Sequence, residues 1–492
     1  MASQVSRLST LQPILRVMHR TWRWTSVRLQ AALATAIASQ PLLFLAVLSV
    51  WRDADVRLVA PTFHFYAVSA TCAAAVAVSA AILIAVRSAR DPRNAFIAAG
   101  FAGLAGVFLA HGLSTPGFIV HDHDEPYAVL LSAPLSLLAA ATALGVAVLP
   151  ERARIWRVLA QRSGWAIGAY SAAVAGYVTV AMARPWWLGV VPRSREVDWS
   201  VGVAVMVLLG FTAWRYWRAW RLTETPGQLA MTLGLVLLGE SQLAMLVGSP
   251  WELRWWSYHG LMFLAFLAVA GGWAAEGWAR RSLAIVPRAL ALRERLDALV
   301  VPDPASLEAL EDAIGAKDEY TRHHMSRVAY FAGVLARELG LPPRSVAIAE
   351  TAGRIHDIGK LVVPDHILLK PGPLTAEEFE RVKHHTVRGE QIALQSRALA
   401  DVAKVVRAHH ERYDGRGYPD GLAGEAIPIE ARVVAVADTF DALTSTRAYR
   451  AARPVEDAVR ELRRVAGTQL DPRCVDAFLR WLAREHRTHL AA

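Results

Sequence analysis

Residues 354–360 read Arg354-Ile355-His356-Asp357-Ile358-Gly359-Lys360. An imidazole and a carboxylate stand side by side directly after an apolar helical stretch, with a lysine three positions on. Neutral imidazole suits a borderline divalent cation, and a carboxylate can bridge two cations and offset their charge. Asp357 is therefore the natural centre of a two-metal site. Around it along the chain lie His324, His385, the pair His409-His410, and Asp438. A single histidine in a helix is more often a core or surface residue than a ligand, so it is the set that carries the reading. From Ser306 to Leu482 apolar residues recur at three-to-four spacing, as in Val328, Phe331, Val334, Leu335 and Leu339, which predicts a soluble helical domain. Only Cys72 and Cys474 occur in the chain. A disulfide framework and a cysteine-rich zinc site are excluded, and any metal must be held by His, Asp or Glu.

Upstream of this domain the chain changes character. It has 492 residues, too many for one core to organise, with 54% hydrophobic residues, 17 tryptophans and a mean hydropathy of +0.28. Apolar runs long enough to cross a bilayer begin near Leu29, Tyr66, Ala95, Tyr127, Trp165, Val201, Gln228 and Ser257, which predicts about eight spans. The segment Met1 to Arg28 is rich in arginine and lacks a short apolar core with a small-residue cleavage site, so the first span is expected to be retained. The net charge of +10 would point to nucleic acid in a soluble protein. Here arginine collects in alternate connections, as in Arg87, Arg90 and Arg93, or Arg152, Arg154, Arg157 and Arg162. That is the pattern of cytoplasmic loops, and it leaves no need for a DNA or RNA partner. Both termini are expected in the cytoplasm, in a multi-pass protein of the cytoplasmic (inner) membrane.

Several polar residues in or beside the spans stand out: His111, the loop residues His121 to Glu125, Glu240 and His259. Intramembrane carboxylates are costly and often functional. One reading is an outward-facing site for a metal, a proton or a small ligand; the other is interhelical hydrogen bonding beside a solvated acidic loop. No ligand spacing among them matches a known site type. After Arg281, charges at helical spacing (Arg288, Arg293, Arg295, Asp297) precede a break at Pro302 and Pro304, which predicts a short amphipathic connection.

Beyond the His356-Asp357 stretch, His409-His410-Glu411-Arg412 is followed by Tyr413-Asp414-Gly415-Arg416-Gly417-Tyr418-Pro419, a loop whose backbone donors can approach a phosphate. With Lys370-Pro371-Gly372-Pro373-Leu374 between these blocks and Val436-Ala437-Asp438-Thr439-Phe440-Asp441 after them, residues from about Asp312 to Leu482 resemble the HD-GYP family of cyclic di-GMP phosphodiesterases. The resemblance implies an HD-type helical bundle, so the whole chain is expected to be all-α. Its expected parts are a basic tail (1–28), a membrane bundle that could act as a sensor (29–279), a linker (280–310) and the phosphodiesterase domain (311–485).

Carried over by position, the resemblance places His324, His356, Asp357 and Asp438 around one metal. Asp357 then bridges to a second metal held by His385, His409 and His410. Iron or manganese is expected, with magnesium a further candidate. Lys360 would hold a phosphate oxygen and assist the leaving alkoxide; Gly417, Tyr418, Pro419, Arg447 and Arg450 would meet the substrate. Family members with a third metal carry a glutamate where Tyr320 stands here, so two metals and pGpG as product are expected. His323 and His384 read as surface or supporting residues. Thr446 and Ala448 replace the family's usual Asp and Pro. The other readings are a catalytically silent nucleotide receptor, a phosphodiesterase for another cyclic dinucleotide such as cyclic GMP-AMP, and a transporter with an attached regulatory domain. A homodimer is the expected assembly.

Overall fold

The computed structural model of the protein describes residues 27–85, 91–115, 127–151, 153–191, 194–280, 319–370, 372–445 and 452–491, with the isolated positions 292, 293, 296, 307 and 310. The basic tail up to residue 26, the His121–Glu125 loop, most of the 280–310 connection, and Thr446, Arg447, Ala448 and Arg450 lie outside the described residues. So does the side chain of Tyr320. The chain divides into two compact units, Met1–Leu290 and Ala291–Ala492. Among the described residues the ordered elements are all helical.

The apolar runs of the first unit form helices, which satisfy the backbone N–H and C=O groups within each segment. Eight described helices are long and apolar enough to span a membrane. They are α1 (Val27–Val50), α2 (Pro61–Ala85), α3 (Pro92–Leu113), α4 (Tyr127–Ala147), α5 (Ser163–Ala183), α6 (Arg195–Thr223), α7 (Pro226–Val247) and α8 (Leu253–Arg280). Several begin earlier than their apolar runs, because polar caps start the first turn. Ser194 accepts from the Val197 N–H and acidic Glu196 and Asp198 follow it at α6, while Asp91 accepts from the Arg93 N–H ahead of Pro92 at α3. Helices α3 and α4, α7 and α8, α2 and α3, and α2 and α8 pack against one another. Outward faces carry exposed Leu43, Phe63, Ile84 and Trp165, which suits a bundle in an apolar surrounding.

The second unit is built from α9 (Glu319–Glu338), α10 (Pro343–Ile355), α11 (Ala376–Lys383), α12 (His385–Ala393), α13 (Ala400–Ala408), α14 (Ile429–Thr444), α15 (Val455–Val465) and α16 (Pro472–Ala491). The three-to-four spacing on α9 buries Val328, Ala332 and Leu335, and Phe331 meets Phe440 and Phe478 edge-on at 5.2 and 5.9 Å between ring centres. Thr375 and Glu378 form a reciprocal capping box that starts α11. Helices α9 and α10 cross closely at Gly353, where an added Cβ would lie 2.7 Å from the Ala329 Cα. Of the connection, Leu292, Leu296, Leu307 and Leu310 are buried.

Candidate metal centre

Three histidines of the second unit are set by the same local device. The last carbonyls of a helix have no partner within it. His356 caps α10 and donates Nδ1–H to the Gly353 carbonyl at 2.9 Å; His409 caps α13 and donates to the Val406 carbonyl at 2.7 Å. His385, just beyond α11, donates to the Val382 carbonyl at 2.6 Å. Each bond occupies Nδ1, fixes the tautomer and leaves the Nε2 lone pair free on the other side of the ring. Those Nε2 atoms converge: His385 and His409 approach to 3.4 Å, a separation at which two lone pairs call for a cation between them. Burial lowers all three of the second group below the ordinary imidazole range, His385 to about 3 and His410 to about 4, with His409 well below. Neutral imidazole is the form a metal needs.

Asp357 lies between two groups. One oxygen is 3.4 Å from His385 Nε2, and the other is 3.4 Å from His356 Nε2 and 2.5 Å from the Lys360 ammonium. Burial works against its charge, yet Lys360 and His356 hold the carboxyl well below its usual range. Its Oδ1 is buried without a hydrogen-bond donor, which suits a metal-ligand role. Ligand atoms of Asp357, His385, His409 and His410 lie within 4.8 Å of one another, as do those of His324, His356 and Asp438. The donor set therefore fits a pair of divalent ions with mixed nitrogen and oxygen ligation.

His324 is oriented differently. It sits inside α9, donates Nδ1–H to Asp441 at 2.7 Å and turns Nε2 to Asp438 at 3.2 Å. Burial opposes its protonation, but the hydrogen bonds to Asp438 and Asp441 outweigh it and push the group up to about 9. Asp441 also accepts from Arg327 at 2.5 Å. Its role was missed in the sequence, although its place three residues after Asp438, on the same face of α14, was the available clue. Asparagine at 441 should weaken metal binding to the full-length protein about 10- to 100-fold, measured by competition with a chromophoric chelator.

The loop after His410 closes one side. Glu411 accepts the backbone N–H groups of Asp420, Gly421 and Leu422 at 2.7, 3.2 and 3.0 Å. A Cβ on Gly417 would meet the Arg412 nitrogen at 2.3 Å, so only glycine fits there. Tyr418 lies against the His410 ring at 5.0 Å and precedes Pro419 through a cis peptide. Burial, then the charges of Asp357 and Asp438, raise its phenol, so the hydroxyl stays neutral. Glu411→Gln should cost about 2 kcal/mol, because charge-assisted bonds are the stronger ones, and a lowered urea midpoint of the C-terminal unit would register it. A cleft of ≈ 360 Å³ lined by His409, His410, Arg412, Asp438 and Gln469 opens beside these candidate ligands. His323 and His384 are exposed.

The HD domain family matches residues 308–474. The chain is 44% identical over 211 residues to the cyclic di-GMP phosphodiesterase response regulator RpfG of Xanthomonas campestris pv. campestris, covering 42% of this chain and 56% of that protein. It is 44% identical over 176 residues to a cyclic di-GMP phosphodiesterase of Thermotoga maritima, covering 35% and 48%. A 3'3'-cGAMP-specific phosphodiesterase 3 of Vibrio cholerae is 38% identical over 180 residues, covering 36% and 39%. The chain thus spans about half the length or less of these curated relatives. Its N-terminal region is a set of apolar helices, and its C-terminal region matches the HD domain family and is similar to cyclic dinucleotide phosphodiesterases.

Proposed function

We propose that this protein is a membrane-bound phosphodiesterase that hydrolyses cyclic di-GMP to the linear dinucleotide pGpG. The observation that carries the reading is Asp357, set between two groups of histidines beside a cleft. His324, His356 and Asp438 would hold one divalent ion and His385, His409 and His410 the other, with Asp357 shared; iron or manganese suits this mixed donor set better than magnesium. Bound there, the ions supply Lewis-acid stabilisation of charge on the phosphoryl oxygens and lower the pKa of water.

The chain's own residues do the rest. Lys360, partly exposed beside Asp357, would hold a phosphate oxygen and give a proton to the leaving alkoxide. Glu411 pins the loop of Gly417, Tyr418 and Pro419, whose neutral phenol shapes the pocket for a base. Arg447 and Arg450 would add substrate contacts. In this reading residues 1–28 are a cytoplasmic tail, 29–279 a sensory bundle in the inner membrane with both termini cytoplasmic, 280–310 a linker through which a homodimer forms, and 311–485 the catalytic domain.

A second substrate, 3'3'-cGAMP, is favoured by the specificity named for the Vibrio relative. The test is chromatography of products after full-length protein in membranes, loaded anaerobically with iron or manganese, is incubated separately with the two dinucleotides. Release of pGpG from cyclic di-GMP is expected. Cleavage of 3'3'-cGAMP alone would select the second reading, and cleavage of neither by folded, metal-loaded protein would remove both.

A further inference from the structure

A second cluster of histidines lies in the other unit, far along the chain from the HD domain. His64 on α2, His111 on α3 and His259 on α8 are all buried, at 1%, 2% and 3% exposure, and their ligand atoms lie within 4.8 Å of one another. Three helices had to pack together to assemble them. The nearest two are separated by 47 residues, and no local spacing links the set.

One assignment of the hydrogen bonds turns two lone pairs inward. His111 donates Nδ1–H to the Val129 carbonyl at 2.7 Å, so its Nε2 carries the lone pair. In this assignment the Thr115 hydroxyl proton goes to the His111 carbonyl at 3.3 Å and its oxygen accepts from His64 Nδ1–H at 2.8 Å. The Nε2 of His64 is then also a lone pair, and it points at the Nε2 of His111 from 3.0 Å. Two lone pairs this close repel unless a cation sits between them. His259 adds the independent observation: it is buried with no well-aligned hydrogen bond on either ring nitrogen, only the carbonyls of Trp255 and Trp256 on its own helix being near. A buried imidazole without a well-aligned partner, set beside two others, is costly, and coordination would relieve it.

For His64 and His111 this is the construction of the HD-domain centre: Nδ1 beside an oxygen of the surrounding protein, Nε2 turned to a common point. We propose that His64, His111 and His259 form a separate metal site for one divalent first-row transition ion of the zinc, cobalt or nickel type. The ligands are three neutral nitrogens, which disfavours magnesium and calcium. At zinc–nitrogen distances of about 2.0–2.1 Å a tetrahedral site spaces its nitrogens about 3.3 Å apart, close to the His64–His111 separation. The Tyr258 hydroxyl, 2.9 Å from His111 Nε2, offers an oxygen for the fourth position. Among the described residues no carboxylate joins the set, and aromatic faces surround it. Trp255 stacks on His64 at 5.2 Å, with Trp251 and Trp256 at 5.8 and 5.9 Å.

The site has a fixed cover. Leu58 N–H donates to the Trp251 carbonyl at 2.7 Å, Trp256 Nε1–H donates to the Leu58 carbonyl at 2.9 Å, and Asp55 pairs with Arg254. The α1–α2 and α7–α8 connections are thereby clamped together. Both are arginine-poor or charge-balanced loops of the kind that face away from the cytoplasm, so the ion would come from the extracytoplasmic side.

The test uses full-length protein without a histidine tag, in nanodiscs, stripped with chelator and titrated with Zn²⁺, alongside His64→Gln and His259→Gln. Wild type should bind one equivalent more than either variant, while both variants keep their phosphodiesterase turnover. Co²⁺ in place of zinc should give a tetrahedral visible spectrum in wild type that the variants lack. Equal zinc content in all three proteins would overturn the proposal and leave the cluster as a hydrogen-bonded core sharing a proton. Should the histidine variants fail to fold, Thr115→Val decides: it removes only the oxygen that orients His64, and is expected to weaken that one equivalent at least about tenfold. Unchanged affinity there would equally overturn the site.

Discussion

Asparagine in place of Asp357 should lower cyclic di-GMP turnover by about 10³-fold or more while leaving the helical fold intact. The two side chains have the same shape, so packing around position 357 is preserved. The charge is not. Among the described residues Asp357 is the carboxylate within 3.4 Å of imidazoles from both groups, and its Oδ1 has no donor of its own. An amide there presents an N–H₂ to lone pairs or to the Lys360 ammonium, and neither orientation satisfies both neighbours. Loss of a single preorganised electrostatic contact in an active site costs roughly 10²–10³ in rate, and this residue serves both metal positions at once. Two readings check the result: turnover by product chromatography, and metal content, which should fall alongside it. Turnover within tenfold of wild type would show that Asp357 is not the shared ligand.

Alanine at Gly359 should be the most damaging substitution for stability in the HD domain. The turn Ile358–Val362 packs so closely on α12 that an added Cβ would lie 1.8 Å from the His385 carbonyl oxygen and 2.7 Å from the Gly389 nitrogen. Both are backbone atoms and cannot rotate away, so the helix itself must move. Overpacking of a flexible core typically costs 1–3 kcal/mol. Against rigid backbone the cost should reach at least about 3 kcal/mol, a fall of roughly 6–12 °C in the thermal midpoint of a domain of this size. The same displacement carries His385 away from Asp357, so activity should be lost at temperatures where the variant is still folded. A scan of thermal unfolding followed by a turnover measurement at low temperature separates the two effects. An unchanged midpoint would mean that the turn and α12 are not in the close contact described.

Much of the site was legible because its geometry is local. His356, His385 and His409 each use the carbonyl three residues back, and the device is complete once the preceding helix ends where its apolar pattern ends. The eight membrane-length helices were legible for a similar reason: length and apolarity suffice in lipid, whatever the neighbours. Asp441 and Glu411 were harder to see. Asp441 acts on His324 across 117 positions of chain, and Glu411 acts on backbone N–H groups that any residues at 420–422 would supply. Glu411 leaves no mark in composition or spacing, and Asp441 leaves only its place three residues after Asp438.

His64 shows the limit most clearly. Its neighbours in sequence, Phe63 and Phe65, give it the look of an aromatic residue at a membrane edge, and nothing in its spacing joins it to His111 or His259. What the sequence by itself determined is therefore the kind of each element, the order of the chemistry along the chain and the inward turn of each helix-capping imidazole. Which imidazoles meet was decided by the packing of α2, α3 and α8 in one unit, and in the other by the close approaches at Gly353 and Gly359. A metal ligand set is a matter of a few tenths of an ångström between side chains from distant segments. Only the crossing of helices, fixed where a missing Cβ lets backbones touch, sets distances that fine.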